Sequence, residues 1–181
     1  MTIVGQQAPE WEAAAYVKGE NKTVSSKDYE GQWYVLYWYP ADFTFICPTE
    51  IREFEELQED FADDGVAVIG CSTDSFFSHK NWFEDGETFE EGITHPVLAD
   101  TNHSVSKAFG VYEEENGIAF RATVVVNPEG RIKSLSVNDI DRDEAGVGRS
   151  AKEVLRTVQA LQSGGLCGAE WEPGAEFVET D

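Results

Sequence analysis

Three cysteines, a single methionine and 13 basic residues are a short supply for a chain of 181 residues. Each shortage excludes something. A secreted disulfide scaffold needs a larger and even number of cysteines, so Cys47, Cys71 and Cys167 fit a reducing interior with one or two thiols in chemical use. No two of them form a C-x-x-C pair, which argues against a zinc knuckle and against a dithiol redox motif. The three histidines, His79, His95 and His103, lack H-x-H or H-x-x-x-H spacing, so no metal is expected. No apolar run nears the ~20 residues that cross a bilayer; the longest, Trp33 to Tyr39, has the length of a strand. The opening Met-Thr-Ile-Val-Gly-Gln-Gln has no basic start, apolar stretch or small-residue cleavage site. The expected compartment is therefore the cytoplasm.

What is present in excess is acid. Against the 13 basic residues stand 35 acidic ones, a formal charge of −22. Such a surface repels nucleic acid and anionic membranes, and neither is expected as a partner. The acids are spread over the chain, in Glu53 to Asp64, Glu84 to Glu91 and Glu113 to Glu115, as solvated faces rather than one tail. Hydrophobic residues at 41% and aromatics at 12% still supply a core for one ordinary domain.

The apolar pattern gives the order of elements. Lys18-Gly-Glu-Asn21 suggests a short hairpin. Trp33 to Tyr39 is apolar on both faces and reads as a central buried strand. After Pro40 the spacing of Ile51, Phe54, Leu57 and Phe61 predicts an amphipathic helix from Pro48, Pro being suited to its first position, to Asp63-Asp-Gly65. Val66 to Cys71 is a second buried strand, and Ser75 to Asp85 a helix with Phe77 or Trp82 turned inward. Pro96 to Ala99 is a short strand and Ser104 to Phe109 a short helix. Arg121 to Asn127 and Arg131 to Val137 flank Pro-Glu-Gly as a hairpin. Ser150 to Gln162 is the last helix, stopped by Gly164-Gly165. Strands that alternate with helices and close in an antiparallel pair predict an α/β fold with a mixed central sheet and helices on both faces, consistent with a thioredoxin-like architecture. Residues 1–162 form that domain, and 163–181 an extended C-terminal arm carrying Cys167.

Cys47 holds the most informative position, between a buried strand and the start of a helix. The unpaired N–H groups of a first turn and the helix dipole favour S⁻ over SH, and the thiolate is the nucleophile. A buried core cysteine is the competing reading. The neighbours decide between them. Pro40, Thr44, Cys47 and Pro48 make P-x-x-x-T-x-x-C-P, in which a threonine hydroxyl can hold a small oxygen-containing substrate and a proline without N–H can shield the sulfur. Singly, Thr44 could be a helix cap and Pro48 a helix starter. Gly146-x-Gly-x-x-Ala151 is a weak match to a dinucleotide fingerprint, since an acidic segment and not a strand leads into it. Cys71, at the end of a buried strand, reads as structural.

The run PADFTFICPTEI closely resembles the active-site segment of peroxiredoxins, in particular the typical two-cysteine, alkyl hydroperoxide reductase C-like group. The resemblance extends from about Gly5 to Gly174, through Asp74-Ser-Phe-Phe-Ser-His-Lys-Asn-Trp82, Arg121-Ala-Thr-Val-Val-Val-Asn-Pro-Glu-Gly130, Gly148-Arg-Ser150 and Cys167-Gly-Ala-Glu-Trp-Glu-Pro-Gly174. It implies that Cys47 attacks the O–O bond of hydrogen peroxide or a small organic hydroperoxide, giving a sulfenic acid. Thr44 and Arg121 would bind the peroxide, Glu50 would orient an arginine, and Pro40 and Pro48 would shape the pocket. Cys167 of the partner subunit would resolve Cys47 as a disulfide, which a thioredoxin-like or flavoprotein reductase then reduces. No cofactor is implied. A homodimer is implied, often closed in the family into a ring of five dimers. Read without the resemblance, Arg121 is also compatible with a strand-edge surface charge and Cys167 with an idle tail thiol. A holdase chaperone or redox-relay protein is the alternative from another class, and a one-cysteine mechanism with an external thiol is a variant.

The chain departs from the family in three places. Gly168 follows Cys167 where proline is usual, and the stretch from Asp139 to Gly148 is longer than the usual link. The tail to Asp181 has no Tyr-Phe pair, which implies a robust, bacterial-like peroxidase. The charge generates a prediction of its own. A domain at −22 repels itself in dilute buffer, whereas at molar salt the Debye length is ~3 Å. A salt-rich host cytoplasm is therefore expected, and the denaturation midpoint should rise steadily from dilute buffer into molar salt. Equal stability in both would refute it.

Overall fold

The computed structural model describes residues 2–140 and 146–180. The centre of the longer stretch between Asp139 and Gly148 therefore lies outside the described residues. Among the described residues, nine strands and five α-helices follow one another. They are β1 (Glu12–Val17), β2 (Glu20–Ser25), β3 (Trp33–Trp38), α1 (Cys47–Glu56), α2 (Gln58–Asp63), β4 (Val66–Ser72) and α3 (Phe76–Phe83). Then come β5 (Val97–Ala99), α4 (Ser104–Ala108), β6 (Tyr112–Glu113), β7 (Ile118–Ala119), β8 (Arg121–Val126), β9 (Ile132–Asn138) and α5 (Ala151–Ser163). A 3-10 turn at Ser26–Tyr29 links β2 to β3.

Seven strands form one sheet in the order β2-β1-β5-β4-β3-β8-β9. The β3–β4 and β4–β5 pairs are parallel, and the pairs outside them are antiparallel. The mixed sheet expected from the element order is thus the one found. The hairpin at Lys18-Gly19 has both turn residues at positive φ, the geometry that matches the twist of its strands.

Period-two alternation divides the strand residues between two cores. Val35, Tyr37 and Tyr39 of the β3 segment, Val66 and Val68 of β4 and Val125 of β8 belong to one, packed under Phe54 of α1, Phe61 of α2, Trp82 and Phe83 of α3 and Val154 and Val158 of α5. Tyr34, Leu36, Trp38, Ile69, Cys71 and Val124 face the other way, toward Val105 and Phe109 around α4. Helices cover both faces.

The structure corrects several details. The helix read as continuous from Pro48 to Asp63 starts at Cys47 and breaks at Leu57, whose ψ of 9° leaves the helical range. The break is invisible to periodicity because Phe54 and Phe61, seven residues apart, stay on one face. Of the two residues read as inward on the third helix, Trp82 is buried and Phe77 is exposed. The small β6–β7 hairpin was not anticipated; its strands are two residues each, too short for a period. The arm after α5 contains no helix or strand among its described residues but turns back on itself. Val178 N–H donates to the Leu166 carbonyl at 2.8 Å, and Arg156 of α5 donates to the Trp171 carbonyl at 2.9 Å.

Phe54 is fully buried, stacked on Tyr37 at 4.2 Å between ring centroids and close to Phe61. Phe54→Ala should therefore lower the unfolding free energy by about 3–5 kcal/mol in chemical denaturation.

Candidate active site

The parallel β3–α1–β4 unit carries the chain over the sheet and sets Cys47 as the first residue of α1, just past the carboxyl end of β3. Its side chain is completely buried. In β8, Arg121 shares the parity of Thr123 and Val125, so its side chain points to the face that carries α1. One Arg121 Nη1 donates to Cys47 Sγ at 3.3 Å and to Glu50 Oε2 at 2.8 Å. The strand-edge surface role considered for Arg121 is thereby excluded, since the residue is buried. Glu50 stands one helical turn after Cys47, at the separation that puts both on one side of α1.

Glu50 also holds a residue that sequence reasoning had not assigned. Arg149, just before α5, donates its backbone N–H to Glu50 Oε1 at 2.8 Å, its Nε to the same oxygen at 3.0 Å and its Nη2 to Oε2 at 3.2 Å. The rest of its guanidinium donates to the carbonyl of Ala122 at 2.6 Å, to Thr123 Oγ1 at 3.2 Å and to the Trp38 carbonyl. The Gly148-Arg-Ser150 segment was the available signal. Gly146 and Gly148 serve close packing rather than a nucleotide: a Cβ at Gly146 would lie 2.7 Å from Ile46 Cδ1, and one at Gly148 3.2 Å from Ile46 Cγ2.

The loop leading to Cys47 is pinned from behind. Pro40 is buried, two residues past the end of β3. Thr44 donates its hydroxyl proton to the Ala41 carbonyl at 2.8 Å, which leaves its oxygen as an acceptor. It does not cap α1; the residue before the helix is Ile46. Asp42 accepts from Tyr39 Oη at 2.7 Å and meets His79 Nδ1 at 2.8 Å, while its backbone N–H donates to Asp74 at 3.0 Å. His79 Nε2 faces the Leu98 carbonyl at 3.1 Å, an acceptor only, so that nitrogen carries a proton. Burial and then the neighbouring Asp42 charge push the Tyr39 hydroxyl well above its ordinary range, and the same two causes raise Asp74. Phe43 sits at φ 56°, a left-handed conformation that a non-glycine residue adopts at a cost of roughly 1–3 kcal/mol. Asp42 and His79 were also missed as contributors, because 37 residues separate them in sequence.

The other two cysteines have different neighbours from Cys47. Cys71 is buried, and burial followed by the Asp100 charge pushes its thiol well up, the state of an inert core thiol. Cys167 is half-buried against its own helix, with Sγ 3.2 Å from Ser163 Oγ and 3.6 Å from the Ala160 carbonyl. The fold thus brings Cys47, Arg121 and Glu50 together, places Thr44 and Pro40 in the loop before them, and leaves Cys167 on the arm.

A family model described as the AhpC/TSA family matches residues 4–135. The chain belongs to the AhpC/TSA family. Peroxiredoxin prdx-2 of Caenorhabditis elegans is 42% identical over 185 residues, covering 98% of this chain and 89% of that protein. Thioredoxin peroxidase of Echinococcus granulosus is 39% identical, over 96% and 91% of the two chains. Among solved structures, AhpC of Enterococcus faecalis superposes with a TM-score of 0.83 at 39% identity, covering 90% of this chain and 94% of that one. The reduced 2-Cys peroxiredoxin of Plasmodium vivax gives 0.89 at 32% identity, over 98% and 93%. This AhpC/TSA member is a typical two-cysteine peroxiredoxin with a thioredoxin-like fold, a thiol-dependent peroxidase. No helix among its described residues is long and apolar enough to cross a membrane.

Glu50 gives the site its test. Glu50→Gln leaves two buried guanidinium groups without their carboxylate, a change that should destabilise the protein by about 3–5 kcal/mol. Peroxide consumption should fall by at least about tenfold, because the donor beside the sulfur loses its orientation.

Proposed function

We propose that Cys47 is the peroxidatic residue of this enzyme, acting on hydrogen peroxide and small organic hydroperoxides in a cytoplasm. The observation that carries this is the 3.3 Å contact between Arg121 Nη1 and Cys47 Sγ, with the same nitrogen fixed by Glu50. Arg121 Nε is buried and has no acceptor among the described residues, so a donor is left for an incoming oxygen. Thr44 Oγ1 is the matching acceptor, its own proton being committed to Ala41. A hydroperoxide has one O–H to give and oxygen lone pairs to receive, and these two residues meet both needs. Pro40 and Pro48 limit water at the sulfur, and neither carries an N–H that would compete for the substrate.

In the reaction the thiolate forms a bond to one peroxide oxygen as the O–O bond breaks. The departing alkoxide or hydroxide takes a proton and leaves as alcohol or water. Sulfur is oxidised to a sulfenic acid and the peroxide is reduced by two electrons. The thiol of Cys167 from the partner subunit then attacks that sulfur, water leaves, and a Cys47–Cys167 disulfide forms. Two electrons from a thioredoxin-like or flavoprotein reductase return both thiols. A homodimer is required for this resolution, in keeping with a Cys167 that rests on its own α5 and not on Cys47. Edge strand β9 and the exposed Phe45 and Phe77 offer surfaces for pairing and for higher assembly into a ring of five dimers.

Non-reducing electrophoresis after stoichiometric peroxide tests the scheme. Wild type should run as a disulfide-linked dimer, Cys167→Ser should run as a monomer after a single turnover, and Cys47→Ser should consume no peroxide. Wild-type consumption by Cys47→Ser would overturn the assignment, and a persistent covalent dimer in Cys167→Ser would remove Cys167 from the cycle.

A further inference from the structure

Beneath the arginine pair lies a second row of polar side chains that the reaction scheme does not use. Arg149 Cζ lies 5.3 Å from the centroid of the Tyr37 ring, over its face. The Tyr37 hydroxyl is 2.8 Å from His95 Nε2, and His95 Nδ1 is 2.7 Å from Glu55 Oε2. Glu55 in turn accepts from the Thr94 N–H at 3.0 Å and from the Thr94 hydroxyl. Tyr37 and His95 are buried, while the Glu55 side chain is 21% exposed. The row thus runs from the edge of the protein to the seat of Arg149.

For the neutral imidazole the partners fix the tautomer. Glu55 accepts, so Nδ1 of His95 carries a proton, and the free Nε2 receives the one on Tyr37 Oη. Every polar atom of the row is then satisfied in a region where an unpaired one is costly. Room for the hydroxyl comes from Gly70, the residue paired with Tyr37 across β3 and β4: a Cβ there would lie 2.9 Å from Tyr37 Oη and 3.0 Å from Cζ. Tyr37, Gly70 and His95 are three mutually dependent choices. An aromatic face under a desolvated guanidinium is attractive, and its position matters because Arg149 makes three hydrogen bonds to Glu50, which holds Arg121.

We propose that Tyr37 is a positioning residue for the peroxidatic site, its ring seating Arg149 and its hydroxyl locked by His95 and Glu55. This rests on the assignment of Cys47 and Arg121 made above. His95→Leu leaves the buried Tyr37 hydroxyl without an acceptor and should displace the ring. Adding Tyr37→Phe removes that hydroxyl and keeps the ring, so the double variant should recover. His95→Gln, which returns an acceptor, should also recover.

The readout is the rate of Cys47 oxidation by hydrogen peroxide in stopped flow, set beside its alkylation by iodoacetamide. His95→Leu should lower the peroxide rate by at least about threefold, a fraction of what an unpaired buried donor costs, with alkylation unchanged. The Tyr37→Phe/His95→Leu protein should return toward the wild-type peroxide rate. General loosening would instead raise alkylation of the buried thiol. A folded His95→Leu protein with a wild-type peroxide rate would overturn the proposal, as would a double variant no faster than the single one. If His95→Leu does not fold, Tyr37→Leu, which removes the seat itself, must lose the peroxide rate while Tyr37→Phe keeps it. Cys47→Ser run in parallel separates the two levels: peroxide consumption there defeats the underlying assignment, while a silent Cys47→Ser beside an unaffected His95→Leu defeats only the role of the row.

Discussion

A single buried carboxylate organises this enzyme. Glu50 lies on α1, yet its two oxygens collect donors from β8 and from the segment before α5. Burying a lone carboxylate is expensive, and the cost is offset only when charge and hydrogen bonds are both complete. Two guanidinium groups over-complete the charge: counted with Glu50, they leave one positive charge in a dry region. A thiolate at Cys47, 3.3 Å from Arg121, closes that sum at zero. The ion pair that joins helix to sheet is therefore also the field around the proposed nucleophile.

The sheet makes the arrangement possible. Parallel pairing of β3 with β4 brings α1 over one face, and its start falls beyond the carboxyl end of β3, the end at which open α/β sheets bind ligands. Antiparallel pairing of β3 with β8 fixes which residues of β8 look the same way as Tyr37 and Tyr39. Arg121 does, with Thr123 and Val125. A slip of one residue would turn Arg121 to the opposite core, among Leu36, Trp38 and Val124. The registers on both sides of β3 are thus constraints on chemistry as much as on packing.

How far the sequence discloses this depends on whether a contact is local. Cys47, Pro48 and Glu50 lie within one turn, and the spacing alone relates them. The buried strand Trp33 to Trp38 and the alternation of β8 are likewise local patterns. Arg149 is different, because it gathers Trp38, Glu50, Ala122 and Thr123 from three elements, and no periodicity of its own segment marks it. Asp42 and His79 meet only because α3 folds back over the loop after β3, and Tyr37 and His95 only because β5 follows β4 in the sheet. The break at Leu57 escapes for the opposite reason: the apolar period runs straight through it. Cys167 defeats single-chain geometry altogether, since its proposed target belongs to another subunit.

That last point sets a demand on α1. On the proposed scheme, a completely buried Cys47 sulfur has to meet a thiol from another chain, which requires the first turn of the helix to move. The backbone of that turn is lightly held. Pro48 has no N–H, and Thr49 N, Thr49 Oγ1 and Glu50 N all converge on the one carbonyl of Ile46, at 3.0, 2.6 and 3.4 Å. The preceding loop pulls in both directions, with Phe43 strained at φ 56° and Asp42 locked to Tyr39 and His79. What secures the turn is the Glu50 side chain, held by Arg121 and Arg149. On the proposed scheme, oxidation to a neutral sulfenic acid takes the anion away from Arg121 and leaves Glu50 as its charged partner. On that scheme the hydrogen bonds of Glu50 to two arginines are what the opening of the turn works against.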